Sequence, residues 1–155
     1  MNRRELASRR RYKTRLGATY QGDALELLPL IPDASVQAVI TSPPFALKRK
    51  KAYGNPPQDE YIEWFKRFAV EFHRVLKDDG SLVVEIGGAW TKGAPTRSIY
   101  QFELLVSLVN DAGWHLAEEF FWYNRAKLPG PGQWVNIERI RVKDAISPIW
   151  WLSKT

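Results

Sequence analysis

Apolar positions are sparse over the first fourteen residues and then fall into short, regular runs. RLGATYQGD, residues 15–23, predicts a short strand closing in a Gly-Asp turn. ALELLPLI, residues 24–31, predicts a short helix with Leu25, Leu27 and Leu28 facing inward. VQAVIT, residues 36–41, is a compact β-branched run of the buried-strand type, stopped by Pro43 and Pro44. Over residues 59–77, Tyr61, Trp64, Phe65, Phe68, Phe72, Val75 and Leu76 recur at three- and four-residue steps, which predicts a helix with one wide apolar stripe. Asp78-Asp79-Gly80 closes it, with Gly80 expected in a left-handed cap. SLVVEIGG, residues 81–88, predicts a second buried strand, and residues 97–112 a second amphipathic helix ended by Gly113. HLAEEFFWYN and ISPIWWLSK read as two last strands, separated by a loop containing KLPGPGQW.

Strands alternating with helices imply an α/β fold: a parallel sheet covered by helices through right-handed crossovers, closed by an antiparallel pair. Ligands of such sheets bind at the carboxyl ends of strands. Three segments occupy such ends: Gly22-Asp23, Thr41-Ser42-Pro43-Pro44-Phe45, and Glu85-Ile86-Gly87-Gly88.

Composition narrows the classes. The 155 residues suit one domain, and 45% hydrophobic content suffices for a core. Without cysteine there are no disulfides or thiolate metal sites, which fits a reducing cytoplasm. His73 and His115 lie far apart and show no metal-ligand spacing, so no metal is expected. No apolar run approaches the roughly 18–20 residues of a membrane span, and the opening fifteen residues lack the apolar centre of a secretory signal. The formal charge of +6 is concentrated in two places. Arg3, Arg4, Arg9, Arg10, Arg11, Lys13 and Arg15 form a basic arm over residues 1–15, opposed only by Glu5; Lys48, Arg49, Lys50 and Lys51 form the second cluster. Cationic patches on a balanced body suit DNA or RNA, whereas a charge run by itself is also what a solvated loop looks like.

The strand end at residues 41–45 carries chemistry. Neither Pro43 nor Pro44 has an N–H, and Pro44 keeps Pro43 out of helical angles, so carbonyls stay extended as fixed acceptors. They sit beside the Ser42 hydroxyl and the Phe45 ring. An exocyclic nucleobase amine is a poor nucleophile because its lone pair is conjugated into the ring. Hydrogen bonds accepted by the Ser42 hydroxyl and the Pro43 carbonyl would favour a more tetrahedral nitrogen. Phe45 could stack on an extruded base, with the cations at 48–51 on flanking phosphates. Ser-Pro-Pro is also common turn chemistry, and the strand context and neighbouring cations tip the reading toward function.

These residues resemble the SPPY/SPPF group of amino-methyltransferases acting on DNA, which transfer methyl from S-adenosylmethionine to cytosine N4. The resemblance runs from about Tyr20 to Thr155 through GDALELL, TSPPFALKRKKAYGN, YIEWF, LKDDGSLVVEIGG, RSIY, QWVN, IRVKDA and WW-SKT. It implies a Rossmann-like methyltransferase sheet over residues 16–155, S-adenosylmethionine as cofactor, double-stranded DNA as partner and a restriction-modification setting. Ser42, Pro43, Pro44 and Phe45 would hold the flipped cytosine and its amine, and Asp23 would lie near the adenine end of the cofactor. Glu85 falls where a family member has an aspartate proposed to assist the amine, keeping the charge on a longer arm. Trp122, Tyr123 and Asn124 fall in the aromatic motif that walls the base pocket. Within the family, Ser before Pro-Pro accompanies cytosine N4 and Asp accompanies adenine N6, so Ser42 favours cytosine over the adenine alternative.

The family's order is permuted, with the catalytic half first and the cofactor-binding half last. The later half's aromatic and glycine loop has no match here: GGAWTKG belongs to the catalytic half, and KLPGPG is too proline-rich to open a helix. The expectation is an incomplete sheet in which TYQGD lacks a partner and the catalytic strand exposes an edge. A complementing chain would supply the rest. A fragment, a split subunit and a degenerate remnant all fit. A non-catalytic nucleic-acid-binding module and an amine methyltransferase acting on RNA or a protein amide are the rival functions.

Overall fold

The computed structural model describes residues 3–46, 54, 56–128 and 130–155. In chain order it forms α1 (Arg3–Ser8), β1 (Arg10–Lys13), β2 (Ala18–Tyr20), α2 (Ala24–Leu27) with a 3-10 turn over Leu28–Leu30, and β3 (Val36–Thr41). Then follow α3 (Tyr61–Val75), β4 (Leu76–Glu85), α4 (Tyr100–Asn110), β5 (His115–Tyr123) and β6 (Ile146–Ser153). Four strands make one sheet in the order β3-β4-β6-β5. β4 runs parallel to β3, and β6 antiparallel to both β4 and β5, so β3, β4 and β5 share one direction. The closing antiparallel pair is there, but its second strand inserts between β4 and β5 and makes the sheet mixed. Pro148 is tolerated inside this central strand. Its carbonyl accepts from Ile86 N at 3.1 Å, just past the end of β4, so its missing donor points where β4 has already stopped pairing.

One face of the sheet carries the core. The stripe of α3 delivers Tyr61, Phe65, Ala69 and Phe72, and α4 delivers Tyr100, Leu104 and Leu108, onto Leu82, Val84, Trp150 and Leu152. Tyr61 meets Tyr100 edge-on at 5.0 Å, and Phe65 meets Phe72 at 6.4 Å, the offset geometry that aromatic quadrupoles prefer.

The opposite face follows from strand alternation: Ile40, Val83 and Trp151 stand in one cross-strand row, and Ile149 and Phe120 in the next. It is open. Ile40 is 79% exposed, Phe120 50%, Trp122 51% and Trp151 41%. β3 is an edge strand, with β4 its only neighbour among the described residues.

Four expectations change. VQAVIT forms a strand, but none of its residues is buried, because β3 lies at the sheet edge with one face uncovered. The segment 15–23 is not a strand of the main sheet; Ala18–Tyr20 pairs antiparallel with Arg10–Lys13 in a separate two-stranded ribbon. Its backbone groups find partners in the basic arm, which is itself ordered. Glu5, Leu6 and Ala7 are good helix formers in α1, and Thr14 Oγ1 accepts from Leu16 N and Gly17 N at the ribbon's turn. Gly80 is not a left-handed cap, because α3 stops at Val75 and Leu76 is already extended (φ −71°, ψ 140°). Gly80 is needed instead for close approach: a Cβ there would lie 2.9 Å from the Lys77 carbonyl oxygen and 3.2 Å from that of Gln37. Gly113 does take the left-handed form, with φ 72°. The segment Gln133–Ile137, read as loop, makes one wide π-helical turn.

Among the described residues no helix is long and apolar enough to cross a membrane, and no group of three His, Asp or Glu could hold a metal ion.

Candidate active site

The parallel register sets Thr41 opposite Val84, which places Ser42 beside Glu85 just beyond the paired region. The Ser42 hydroxyl donates to Glu85 Oε2. Alternation carries the Glu85 side chain to the side of Val83, the uncovered face, and the Ser42 hydroxyl reaches it from just beyond the end of β3.

Pro43 is buried and Phe45 half-buried. Phe45 lies directly on Gly87, where a Cβ would come within 2.5 Å of the ring. Tyr100 holds this glycine by donating its phenol to the Gly87 carbonyl; burial pushes that phenol's pKa far up, so it stays a donor. Gln58 Nε2 donates to Ala46 O at 3.3 Å and to Trp90 O at 3.2 Å, tying the residue after Phe45 to the loop that follows β4. The end of β3 is therefore clamped onto the end of β4. Neither Tyr100 nor Gln58 was singled out by sequence; the signal was RSIY, whose Tyr100 opens a helix.

Asp23 caps α2, its Oδ1 accepting from Leu25 N at 2.8 Å. The other carboxylate oxygen makes no hydrogen bond among the described residues. Asp23 shares an open cleft of about 510 Å³ with Ser42, Pro43 and Pro44, walled by Trp64 and Phe68 of α3. The N-cap of α2 and the end of β3, separated in sequence, thus meet in one cavity.

A second cluster fixes the long connection from β5 to β6. Asp144 accepts from Arg97 Nη1 at 3.0 Å and Lys127 Nζ at 3.1 Å. Burial pushes its carboxyl up, but the Ile146 amide and these two cations outweigh that and hold it below the usual carboxylate value. Arg97 also lies over the Trp90 ring at 5.4 Å, and Trp90 meets the buried Trp134 at 5.7 Å. Arg141 Nε reaches the Pro95 carbonyl at 2.5 Å.

This edge-of-sheet geometry invites comparison with known proteins. Residues 36–155 match the DNA methylase family. The chain belongs to it. The DNA methylase likeness includes Type II methyltransferase M.PvuII of Proteus hauseri, 54% identical over 144 residues, 93% of this chain and 43% of that one. A solved PvuII DNA methyltransferase, described as cytosine-N4-specific, superposes with a TM-score of 0.81 over 90% of this chain and 49% of that chain. A proposed DNA modification methylase from Thermus thermophilus, solved with S-adenosyl-L-methionine, gives a TM-score of 0.63 over 86% of this chain and 51% of that chain. At 22% identity it speaks for the fold alone. The chain spans about half the length of these relatives.

In this member of the DNA methylase family, the expected site residues fall into three groups. Ser42, Pro43, Pro44 and Asp23 line the cleft, with Phe45 and Glu85 joined to them by the Gly87 packing and the Ser42 hydrogen bond. Trp122 and Tyr123 stand at the end of β5 with β6 intervening, and no hydrogen bond or ring contact among the described residues links them to the cleft. Trp122 shares the face of Glu85, about two strand spacings or ~10 Å from β4. Asn124 closes a turn: its Oδ1 accepts from Ala126 N at 3.0 Å, and its own N–H donates to Ala145 O at 2.8 Å. Lys48, Arg49, Lys50 and Lys51 lie outside the described residues.

Proposed function

We propose that residues 16–155 are the catalytic portion of a methyltransferase that modifies the N4 amine of cytosine in double-stranded DNA, in a bacterial cytoplasm and a restriction-modification setting. The observation that carries the reading is the Ser42–Glu85 hydrogen bond. With its one proton directed to Glu85, Ser42 Oγ presents lone pairs to an incoming amine N–H. The Pro43 carbonyl supplies a second acceptor, because the two prolines keep it out of any helix. Two accepted hydrogen bonds pull the amine nitrogen toward a tetrahedral form with a usable lone pair. Phe45, seated on Gly87, gives an extruded base a ring to stack on, and Trp122 is a wall for it on the same face.

The cleft fits the cofactor's chemistry: Asp23 offers an unused carboxylate oxygen to an adenine amine, and Trp64 and Phe68 offer apolar wall. S-adenosylmethionine supplies, when bound, an electrophilic methyl group. Ser42 and the Pro43 carbonyl would hold the amine nitrogen with its lone pair free to take that methyl group, sulfur keeping the electron pair of the bond it gives up. The amine then sheds one proton along Ser42 toward Glu85. No covalent enzyme–base bond is involved, which agrees with a chain that has no cysteine.

The rest of the sheet and the glycine loop come, in this reading, from sequence beyond these residues or from a complementing chain. The open face of Ile40, Val83, Phe120 and Trp151 is where it would dock. Lys48, Arg49, Lys50 and Lys51 would hold phosphates beside the base.

The test is methyl transfer to duplex DNA from labelled S-adenosylmethionine, with the chain alone and with a chain carrying the missing half, followed by nucleoside analysis. N4-methylcytosine, lost in Ser42→Ala while the fold persists, is the expected result. N6-methyladenine would overturn the cytosine assignment, and full activity in Ser42→Ala the catalytic one.

A further inference from the structure

The β5–β6 connection, residues 124–145, holds Arg125, Lys127, Arg139, Arg141 and Lys143 against Glu138 and Asp144, five bases to two acids. It leaves the carboxyl end of β5, so it lies on the same edge of the sheet as Ser42 and Glu85. The only carboxylate in it that pairs with cations among the described residues is Asp144, which Arg97 and Lys127 share. The other cations are held differently. Arg139 Nε donates to Asn136 O at 3.4 Å, Arg141 to the carbonyls of Pro95 and Ile140, and Lys143 Nζ to Arg125 O at 2.8 Å. Carbonyl oxygens satisfy donors and set side-chain geometry, but they neutralise no charge. Arg125, Arg139, Arg141 and Lys143 are all exposed and have no carboxylate partner among the described residues.

Cations held in place but left uncompensated favour a polyanion, since part of the entropy of ordering their side chains is lost before binding. The platform beneath them is firm. Trp134 is buried against Trp90, and the shared Asp144 ties the base of the loop to the loop after β4.

We infer that this loop is a phosphate-contacting surface for the DNA duplex, separate in sequence from the cluster at 48–51, and that Arg139 and Lys143 are among its contacts. The inference rests on DNA being the substrate. It assigns the loop an electrostatic task that is independent of base identity: holding the duplex backbone on the catalytic edge while the base leaves the stack.

The experiment is fluorescence anisotropy of a labelled duplex of about 20 base pairs titrated with the 155-residue chain over a range of sodium chloride concentrations. The chain itself should bind with the roughly 10⁻⁴ to 10⁻⁶ M affinity of non-specific contacts. The Arg139→Gln/Lys143→Gln variant should lower the slope of log K against log salt by about 1.8, close to 0.9 for each phosphate no longer neutralised, and weaken binding roughly tenfold. Arg139→Lys/Lys143→Arg should restore both, which separates charge from folding. Lys77→Gln, exposed at the opposite edge where β4 begins, should change little. An unchanged slope in the double variant, with salt-dependent binding by the unsubstituted chain, would overturn the loop assignment and leave the DNA reading standing. No salt-dependent binding by the unsubstituted chain would overturn both.

Discussion

Ser42 has one proton and two lone pairs, and the direction of that proton decides what the hydroxyl can do. Because it points to Glu85, removing the carboxylate charge changes the acceptor strength of Ser42 as well as the route for the departing amine proton. Glu85→Gln in the completed enzyme should lower kcat roughly 100-fold or more with KM for DNA nearly constant, as expected for a proton-handling group. Glu85→Asp, a shorter arm with the same charge, should retain more activity than Glu85→Gln. Steady-state kinetics on duplex DNA separates these outcomes; a greater loss in Glu85→Asp than in Glu85→Gln would mean that length rather than charge matters. Gly87 sets a second constraint. Gly87→Ala forces a carbon to within 2.5 Å of the Phe45 ring, so the ring must move. A cost of about 1–3 kcal/mol in denaturant unfolding is expected, together with weaker binding of an extruded base.

His73 gives the residue scale a pH signature. It lies edge-on to Trp114 at 5.1 Å; burial and then Lys154 lower its pKa, with Asp78 opposing. A histidine that resists protonation in the fold takes up its proton more readily when unfolded. Its contribution to stability is therefore complete above about pH 6.5 and lost as pH falls through the lower folded value. The melting midpoint followed by circular dichroism should fall between pH 7.5 and 5.5, and His73→Phe, which keeps a ring against Trp114, should flatten that fall.

At the scale of elements, α3 is where periodicity and core coincide. Phe65 is 1% exposed and touches Tyr61, Trp64 and Phe72 through its ring. Phe65→Ala should cost about 3–5 kcal/mol in urea unfolding, the usual loss on deleting a buried aromatic. Val70→Ala, on the exposed side of the same helix, should cost well under 1 kcal/mol. That contrast explains what was legible in the sequence. A stripe with a three-to-four period and β-branched runs such as VQAVIT and SLVVEI mark helix and strand directly, so α3, α4, β3 and β4 could be read from local pattern. The run does not tell a buried strand from an edge strand, and no residue of β3 is buried. Insertion of β6 between β4 and β5 depends on which strand edge is free, a property of the assembled sheet that no window of sequence records. The ribbon of β1 with β2 was missed for a related reason. An arm of mostly charged residues carries no apolar alternation, and its pairing satisfies backbone groups rather than burying side chains. Within the site, Ser42, Pro43, Pro44 and Phe45 announced themselves by chemistry at a strand end. Gln58, Gly87 and Tyr100 act through backbone atoms of distant segments, which leaves little trace in residue type.

For the whole molecule, the asymmetry between the two faces of the sheet is the dominant physical fact. One face is sealed by two helices; the other presents Ile40, Phe120, Trp122 and Trp151 to solvent, beside an edge strand whose outer backbone groups are unpaired among the described residues. A contiguous apolar face of this kind favours association, either with the remainder of the fold or with another copy. The two partners respond differently to a charge. Trp151→Lys places an ammonium in the middle of the face, in the row of Ile40 and Val83, without touching the helix-covered core. The Trp151 indole donates to Ser81 Oγ at 3.0 Å, a bond whose loss costs only about 1 kcal/mol. The isolated chain carrying Trp151→Lys should therefore sediment with less self-association than the unsubstituted chain, at nearly the same melting temperature. Added to a chain carrying the missing half, it should fail to restore methyl transfer, because docking would bury the ammonium without a partner. Restored activity at the unsubstituted level would show that the remainder of the enzyme does not cover this face, and would move the complementing contact to the free edge of β3.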